Sequence, residues 1–250
     1  MTIATLTVNG TRPVLGSFGK ALKGSVSLNF GRSGGKHCPS TCPYHPNSTS
    51  TNAAPNTARC YASTCETRPD RIQLKDKLER AEDCSGDTVC DVAYNEMTLR
   101  GWRVPWFRFS SFGSVPKVCT KKFKRLAKKL VDTNNPVHLP VYGQKQTKEY
   151  RTKLQGINIA VRQSVDINEF HSTDGCVSTV VGSMADDKPK ERLRLAKLAA
   201  KSRTYHTGRK CIICPAIAST HNRTRSKTAK CGNCTACSNP HIDIVYPVHR

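Results

Sequence analysis

Acidic residues are scarce in this chain: 18 Asp and Glu stand against 40 Lys and Arg, a formal balance of +22 over 250 residues. A hydrolytic nuclease needs paired carboxylates or a His–carboxylate site. Here the acidic residues are scattered, with Asp186 and Asp187 the only adjacent aspartates, so that class ranks last. Long apolar runs are also missing, since no segment approaches the roughly 18 consecutive apolar residues of a membrane span. The first thirty residues lack the layout of a secretory signal, their apolar stretches being broken by Asn9, Gly10, Arg12 and Pro13. The expected setting is therefore the reducing cytoplasm, with no membrane partner. An even number of cysteines is missing as well. Thirteen thiols cannot form a fully paired disulfide framework, and a reducing compartment would not sustain one. Metal ligation is the leading account of them.

What is abundant is positive charge. A surplus of this size repels itself in the compact state unless an anionic partner neutralises it, and nucleic acid, DNA or RNA, is the expected partner. The basic residues recur at Lys117–Lys129, Lys145–Lys153, Lys188–Arg203 and Arg223–Lys230, interleaved with apolar residues. They therefore mark a folded positive surface rather than a basic tail. The plainer reading is a solvated charge face with no specific partner.

Hydrophobic content of 37% supports a real core. Alternating apolar residues predict strands in Met1–Arg12 and Ser25–Phe30, and further strands at Val104–Ser110, Val137–Tyr142, Ile157–Val165 and Val177–Val181. The Ile157–Val165 run is apolar enough to lie inside a sheet covered on both faces. Helical stripes occupy Asp70–Glu82, Lys117–Val131 and Pro189–Ser202, and a Gly-, Pro- and Ser-rich loop spans Gly31–Arg59. The pattern predicts an N-terminal strand region (1–24), an α/β core with a mostly parallel sheet (25–203), and a Cys-rich, metal-stapled C-terminal module (204–250).

The sharpest motif lies in that last segment: Cys211-Ile-Ile-Cys214-Pro215, then Cys231-Gly-Asn-Cys234-Thr-Ala-Cys237. Two intervening residues let both thiolates of a pair reach one metal from a tight turn, and two such turns supply the four ligands of a tetrahedral zinc or a cubane cluster. The spacing does not choose between zinc and iron–sulfur. It also offers five thiolates for four positions, while His206, His221, His241 and His249 could each replace one.

The N-terminal cysteines are spaced more loosely. Three residues separate Cys38 from Cys42, and seventeen separate Cys42 from Cys60. Loop closure cost grows slowly with length, so Cys60 can fold back onto the pair. Three thiolates on a [4Fe-4S] cluster leave one iron open to a chelating ligand such as the amino and carboxylate groups of S-adenosylmethionine. A structural zinc completed by His37, His45 or Cys65 uses the same residues. Cys84 and Cys90 are read as flanking a polar turn, Cys119 and Cys176 as buried thiols, and His138, in an apolar run, as a core histidine with its hydrogen bonds made.

The order Cys38-Pro39, Cys42, Cys60-Tyr61-Ala62, Ser110–Ser114, Cys211-x-x-Cys214-Pro215-Ala216, Cys231-Gly232-x-Cys234-x-x-Cys237 and Tyr246-Pro247-Val248-His249 resembles the gene-product-88-like family of bacteriophages and other mobile elements. The front half of that family is in turn similar to radical S-adenosylmethionine proteins. The resemblance implies a partial (β/α) barrel and a [4Fe-4S] cluster on Cys38, Cys42 and Cys60, with Ser111, Gly113 and Ser114 approaching the methionine moiety of the cofactor. It also implies an auxiliary cluster on the C-terminal cysteines, a reducing partner, and, for a phage-encoded chain, the host cytoplasm. Two functions therefore stand against each other: a radical enzyme acting on or near nucleic acid, and a non-enzymatic zinc-binding nucleic-acid-binding protein.

Overall fold

A computed structural model describes residues 6–8, 12–13, 26–32, 35, 36, 38, 72–110, 115–181, 189–215, 217 and 234–247. Their elements run β1 (Leu6–Val8), β2 (Arg12–Pro13), β3 (Val26–Leu28), α1 (Ile72–Asp83), α2 (Gly86–Arg100), β4 (Phe107–Phe109) and α3 (Lys121–Asp132). They continue as β5 (Val137–Val141), α4 (Gln144–Lys153), β6 (Ala160–Ser164), β7 (Val177–Val181), α5 (Pro189–Thr207), β8 (Cys211–Ile213) and β9 (Asp243–Pro247). The strands form one mixed sheet ordered β2-β1-β3-β4-β5-β6-β7-β9-β8. Seven of them, from β3 to β8 in that order, are mutually parallel, and β1 pairs antiparallel with both β2 and β3. The chain is thus a mixed α/β fold. Residues 204–250, expected as a separate module, contribute β8 and β9 to this common sheet.

Parallel neighbours require crossover connections; helices supply them from β3 to β6 and after β7, whereas residues 165–176, between β6 and β7, cross over as turns without a helix. Each helix buries a stripe set by its own sequence. In α3, Phe123, Leu126, Ala127 and Leu130 repeat at helical spacing and are buried, while Thr120 caps the N-terminus by accepting from Phe123 N. The segment around Cys90 is helix rather than the polar turn expected from its composition. Ser85 caps α2 by accepting from Thr88 N, Val89, Cys90, Ala93 and Met97 face the core, and Gly101, at φ 81°, ends it. Helix α4 is the other element the sequence concealed. Its basic residues mask a stripe in which Thr147 and Tyr150 are buried, and the Tyr150 hydroxyl donates to Pro116 O at 2.9 Å.

Side chains on a strand alternate between faces, and the alternation sorts the sheet chemically. Val26, Leu28, Phe107, Phe109, Val137, Leu139, Val141 and Val161 pack against α1–α4 in one core, while Val177, Val181 and Val245 pack against α5 in a second. The intervening positions, Ser27, Arg108, His138, Arg162, Ser164, Ser178 and Tyr246, fall on the opposite face. Ser164 and Ser178 bring their hydroxyls to 3.4 Å there. Arg162 and His138 are almost wholly buried, whereas Arg108, Ser164 and Tyr246 on the same face are half-buried.

Two buried arginines tie the C-terminal residues to the sheet. Arg162 of β6 donates to Val177 O, Ile242 O, Cys237 O and Asn239 O, which holds the turn Ala236–Ser238 over the polar face beside β5. Arg203 of α5 is paired with Asp243 of β9 at 2.8 Å and also donates to Phe170 O and Thr173 O. Asp243 in turn accepts from Val177 N. No helix among the described residues is long and apolar enough to cross a membrane.

Candidate functional site

The loop that leaves β3 carries Cys38, and it is pinned to α1 by one carboxylate. Glu82, buried within α1, accepts from Lys36 N and from Arg32 Nε, and Arg32 also pairs with Glu79 at 3.2 Å. Gly35 lies directly on that carboxylate, so that a Cβ at this position would overlap it. Gly35 O then accepts from Cys38 N at 2.9 Å. A cysteine placed by this chain of contacts is half-buried with its Sγ toward Arg32 O. Sequence reasoning found Cys38 but missed Glu82. The only signal was an acidic residue at the inner end of an apolar helix stripe.

The end of β4 is the second marked place. Ser110 follows Phe109 with φ 63°, a left-handed conformation that a side chain rarely adopts. It is buried, and its N–H donates to Leu28 O at 2.6 Å. Backbone strain is thus held at the strand end that leads to Ser111, Gly113 and Ser114. Those three residues, and Cys42, Cys60 and Cys231, lie outside the described residues.

The C-terminal cysteines are sorted by β8 and β9. Cys211-x-x-Cys214 begins as strand rather than as the expected tight turn. Cys211 N donates to Thr204 Oγ1, and the Cys211 thiol packs against the α5 core. Burial pushes its pKa up to about 12. Cys214 continues the ladder through N–H to Val245 O at 2.8 Å, and strand alternation turns it to the other side of the sheet. On that side Cys237 Sγ lies 3.2 Å from the Tyr246 hydroxyl. Cys234 is half-buried at the start of the same turn. Among the described residues, no three of His, Cys, Asp and Glu gather to hold a metal ion.

Cys90, Cys119 and Cys176 are buried single thiols. Desolvation raises all three, Cys119 to about 11, and the carboxylates of Asp87 and Asp91 add to the rise at Cys90. His138 differs from expectation. Its imidazole is 3% exposed, yet neither ring nitrogen has a hydrogen-bond partner among the described residues. Burial, and then the Arg108 and Arg162 guanidiniums, hold its pKa well below the ordinary histidine value.

Comparison with protein-family models, with curated proteins and with solved structures returns no match to this chain.

Proposed function

We propose that this chain is an iron–sulfur protein of radical S-adenosylmethionine type that acts on or near nucleic acid, in keeping with its likeness to the gene-product-88-like proteins of phages and mobile elements. The observation that carries the reading is topological. Strands β3, β4, β5, β6, β7 and β9 lie side by side, parallel and in increasing chain order, with β8 beyond β9 at the edge, an order compatible with a partial (β/α) barrel. The cysteine loop leaves the first of these strands and the strained Ser110 ends the second. In a parallel sheet both belong to the carboxyl-terminal edge, where ligands of such folds bind.

The donor chemistry fits a cluster. Three thiolates, Cys38, Cys42 and Cys60, suit iron and leave one position for a chelating cofactor. The Cβ-free contact between Gly35 and Glu82 is the cradle that sets the first of them. When bound, the cluster would supply the electron that cleaves a C–S bond of S-adenosylmethionine, and the carbon-centred radical released with methionine would take a hydrogen atom from a substrate C–H bond. The protein's own contribution is positional. Arg32 and Glu82 hold the ligand loop against α1, Ser110 turns the chain toward Ser111, Gly113 and Ser114 for the cofactor, and the polar face beneath receives the substrate. Cys214, Cys231, Cys234 and Cys237 would form an auxiliary centre. Cys211, directed into the α5 core, is then the fifth and spare thiol. A reducing partner would supply the electron.

Exposed lysines on the outer helices support the nucleic-acid half of the proposal. Lys121 and Lys124 on α3 and Lys190, Lys197 and Lys201 on α5 are exposed, and none pairs with a carboxylate among the described residues. Phosphate contacts through such residues make affinity fall steeply with salt.

The deciding experiment is oxygen-free purification followed by visible absorbance and by iron, sulfide and zinc analysis, on the wild type and on a Cys38→Ala, Cys42→Ala, Cys60→Ala variant. A brown protein that loses part of its iron in the variant supports the proposal, and S-adenosylmethionine cleavage is then assayed. A colourless protein with stoichiometric zinc, refractory to reconstitution, sinks it and leaves a zinc-binding nucleic-acid-binding protein.

A further inference from the structure

Four side chains on the polar face share an unmet need. Trp106 Nε1, Arg108 Nε, Arg162 Nε and both ring nitrogens of His138 are buried without a hydrogen-bond partner among the described residues. Buried polar atoms are normally satisfied, so five such atoms in one patch point to something that satisfies them.

The four are neighbours. Arg108 registers directly opposite His138 across β4 and β5. The Trp106 indole stacks on the His138 imidazole, with ring centroids 6.0 Å apart and planes inclined by 23°. Trp106 and Arg108 sit at alternate positions of one extended run and so share a face. Arg162 lies on the next strand, where β6 registers with β5 through Pro140. Its other guanidinium nitrogens are committed to backbone carbonyls. Three of the four are nearly or wholly buried, with His138 at 3%, Trp106 at 6% and Arg162 at 0% exposure.

Their chemistry is lopsided. A neutral imidazole offers one donor and one acceptor, while the indole and the two Nε–H groups only donate. The patch thus presents four donors, one acceptor and two guanidinium charges, and among the described residues no carboxylate pairs with Arg108 or Arg162. The low pKa of His138 keeps its acceptor available. Donor excess beside fixed positive charge complements an oxyanion, and the single acceptor suits one that carries a hydroxyl, as phosphate does and a plain carboxylate does not.

We infer that Trp106, Arg108, His138 and Arg162 form a buried binding site for a phosphate group, with Arg108 facing its charge and the His138 acceptor taking a hydrogen bond from its hydroxyl. The phosphate has two sources with the same chemistry, free inorganic phosphate or the monoester of a nucleotide. The site goes beyond the cluster proposal and does not depend on it, because binding is read on the protein whatever its iron content.

The test is a titration of the full-length, nitrogen-15-labelled protein with inorganic phosphate, with a nucleoside monophosphate and with acetate, following the Trp106 indole and His138 imidazole signals. Saturable shifts with either phosphate ligand are expected, and the tighter of the two identifies the source. Arg108→Gln should weaken binding by about 10-fold or more, the loss of a charge-assisted hydrogen bond. Trp106→Phe, which keeps the stacked ring and removes one neutral donor, should weaken it by about 2- to 10-fold. Circular dichroism of both variants checks that the fold is kept. No saturable shift at either residue, an equal response to acetate, or wild-type affinity in both variants would overturn the assignment.

Discussion

Arg203 and Asp243 meet at 2.8 Å with neither side chain exposed to solvent. The pair joins α5 to β9, and Asp243 also accepts from Val177 N of β7, so three elements share one carboxylate. A buried ion pair offers little over a well-packed apolar pair, but removing one partner strands the other charge. Asp243→Asn, which keeps the shape and removes the charge, should therefore destabilise the fold by about 3–5 kcal/mol, read as a lower urea midpoint. A loss under 1 kcal/mol would mean that the guanidinium is held chiefly by the carbonyls of Phe170 and Thr173.

Gly35 and Glu82 give a local prediction that separates the ligand loop from the fold. Gly35→Ala places a methyl group against the Glu82 carboxylate, so either the loop or the carboxylate must shift, and either shift breaks the contacts to Lys36 N and Arg32 that set the loop carrying Cys38. The variant should keep its thermal midpoint within a few degrees and lose the same iron as Cys38→Ala. Wild-type iron in Gly35→Ala would show that Cys38 does not depend on this contact.

Much of the sheet was legible because parallel strands buried on both sides read as apolar runs, as at Val137–Val141 and Val177–Val181. Helix α3 announced itself through Phe123, Leu126 and Leu130. Helices α2 and α4 did not. In α2 the buried positions are Val, Cys, Ala and Met among polar residues, and in α4 a run of lysines and glutamines outweighs Thr147 and Tyr150. The Ser85 cap and Gly101 stop of α2 were both visible in principle. The cysteine pair at Cys211 and Cys214 was read for ligand spacing, but Ile212 and Ile213 between them favour a strand, and a strand points the two thiols to opposite sides. The polar face was the hardest feature to foresee. Arg108 stands between two phenylalanines and Arg162 between valine and glutamine, so period-2 alternation held, but burial of the charged member depends on the turn Ala236–Ser238, more than seventy residues downstream of Arg162.

Cys90 and Cys119 test the helices directly. Both thiols face the first core, and burial raises their pKa values, that of Cys119 to about 11. The thiolate is the reactive form, so iodoacetamide at pH 8 should leave both unmodified in the native, metal-stripped protein, while denaturation exposes them. Rapid native labelling of Cys90, measured by peptide mass spectrometry, would contradict the placement of α2.

The enclosure of His138 also sets a pH dependence. Its pKa is held well below 6.5 by burial and by Arg108 and Arg162, the charged groups that face it, whereas in the unfolded chain it titrates near 6.5. As pH falls through that value the unfolded state takes up a proton that the folded state refuses, so the stability contributed by the neutral imidazole is present above pH 6.5 and is lost below it. The slope approaches about 1.4 kcal/mol per pH unit for one fully excluded proton. His171, lowered by burial and by His206 and Arg203, adds to the same window. Urea midpoints between pH 7.5 and pH 5 in phosphate-free buffer should therefore fall for the wild type and fall less for His138→Gln, with the His171 share remaining in the variant. Parallel curves would mean that His138 takes up its proton in the folded state and is not enclosed as described.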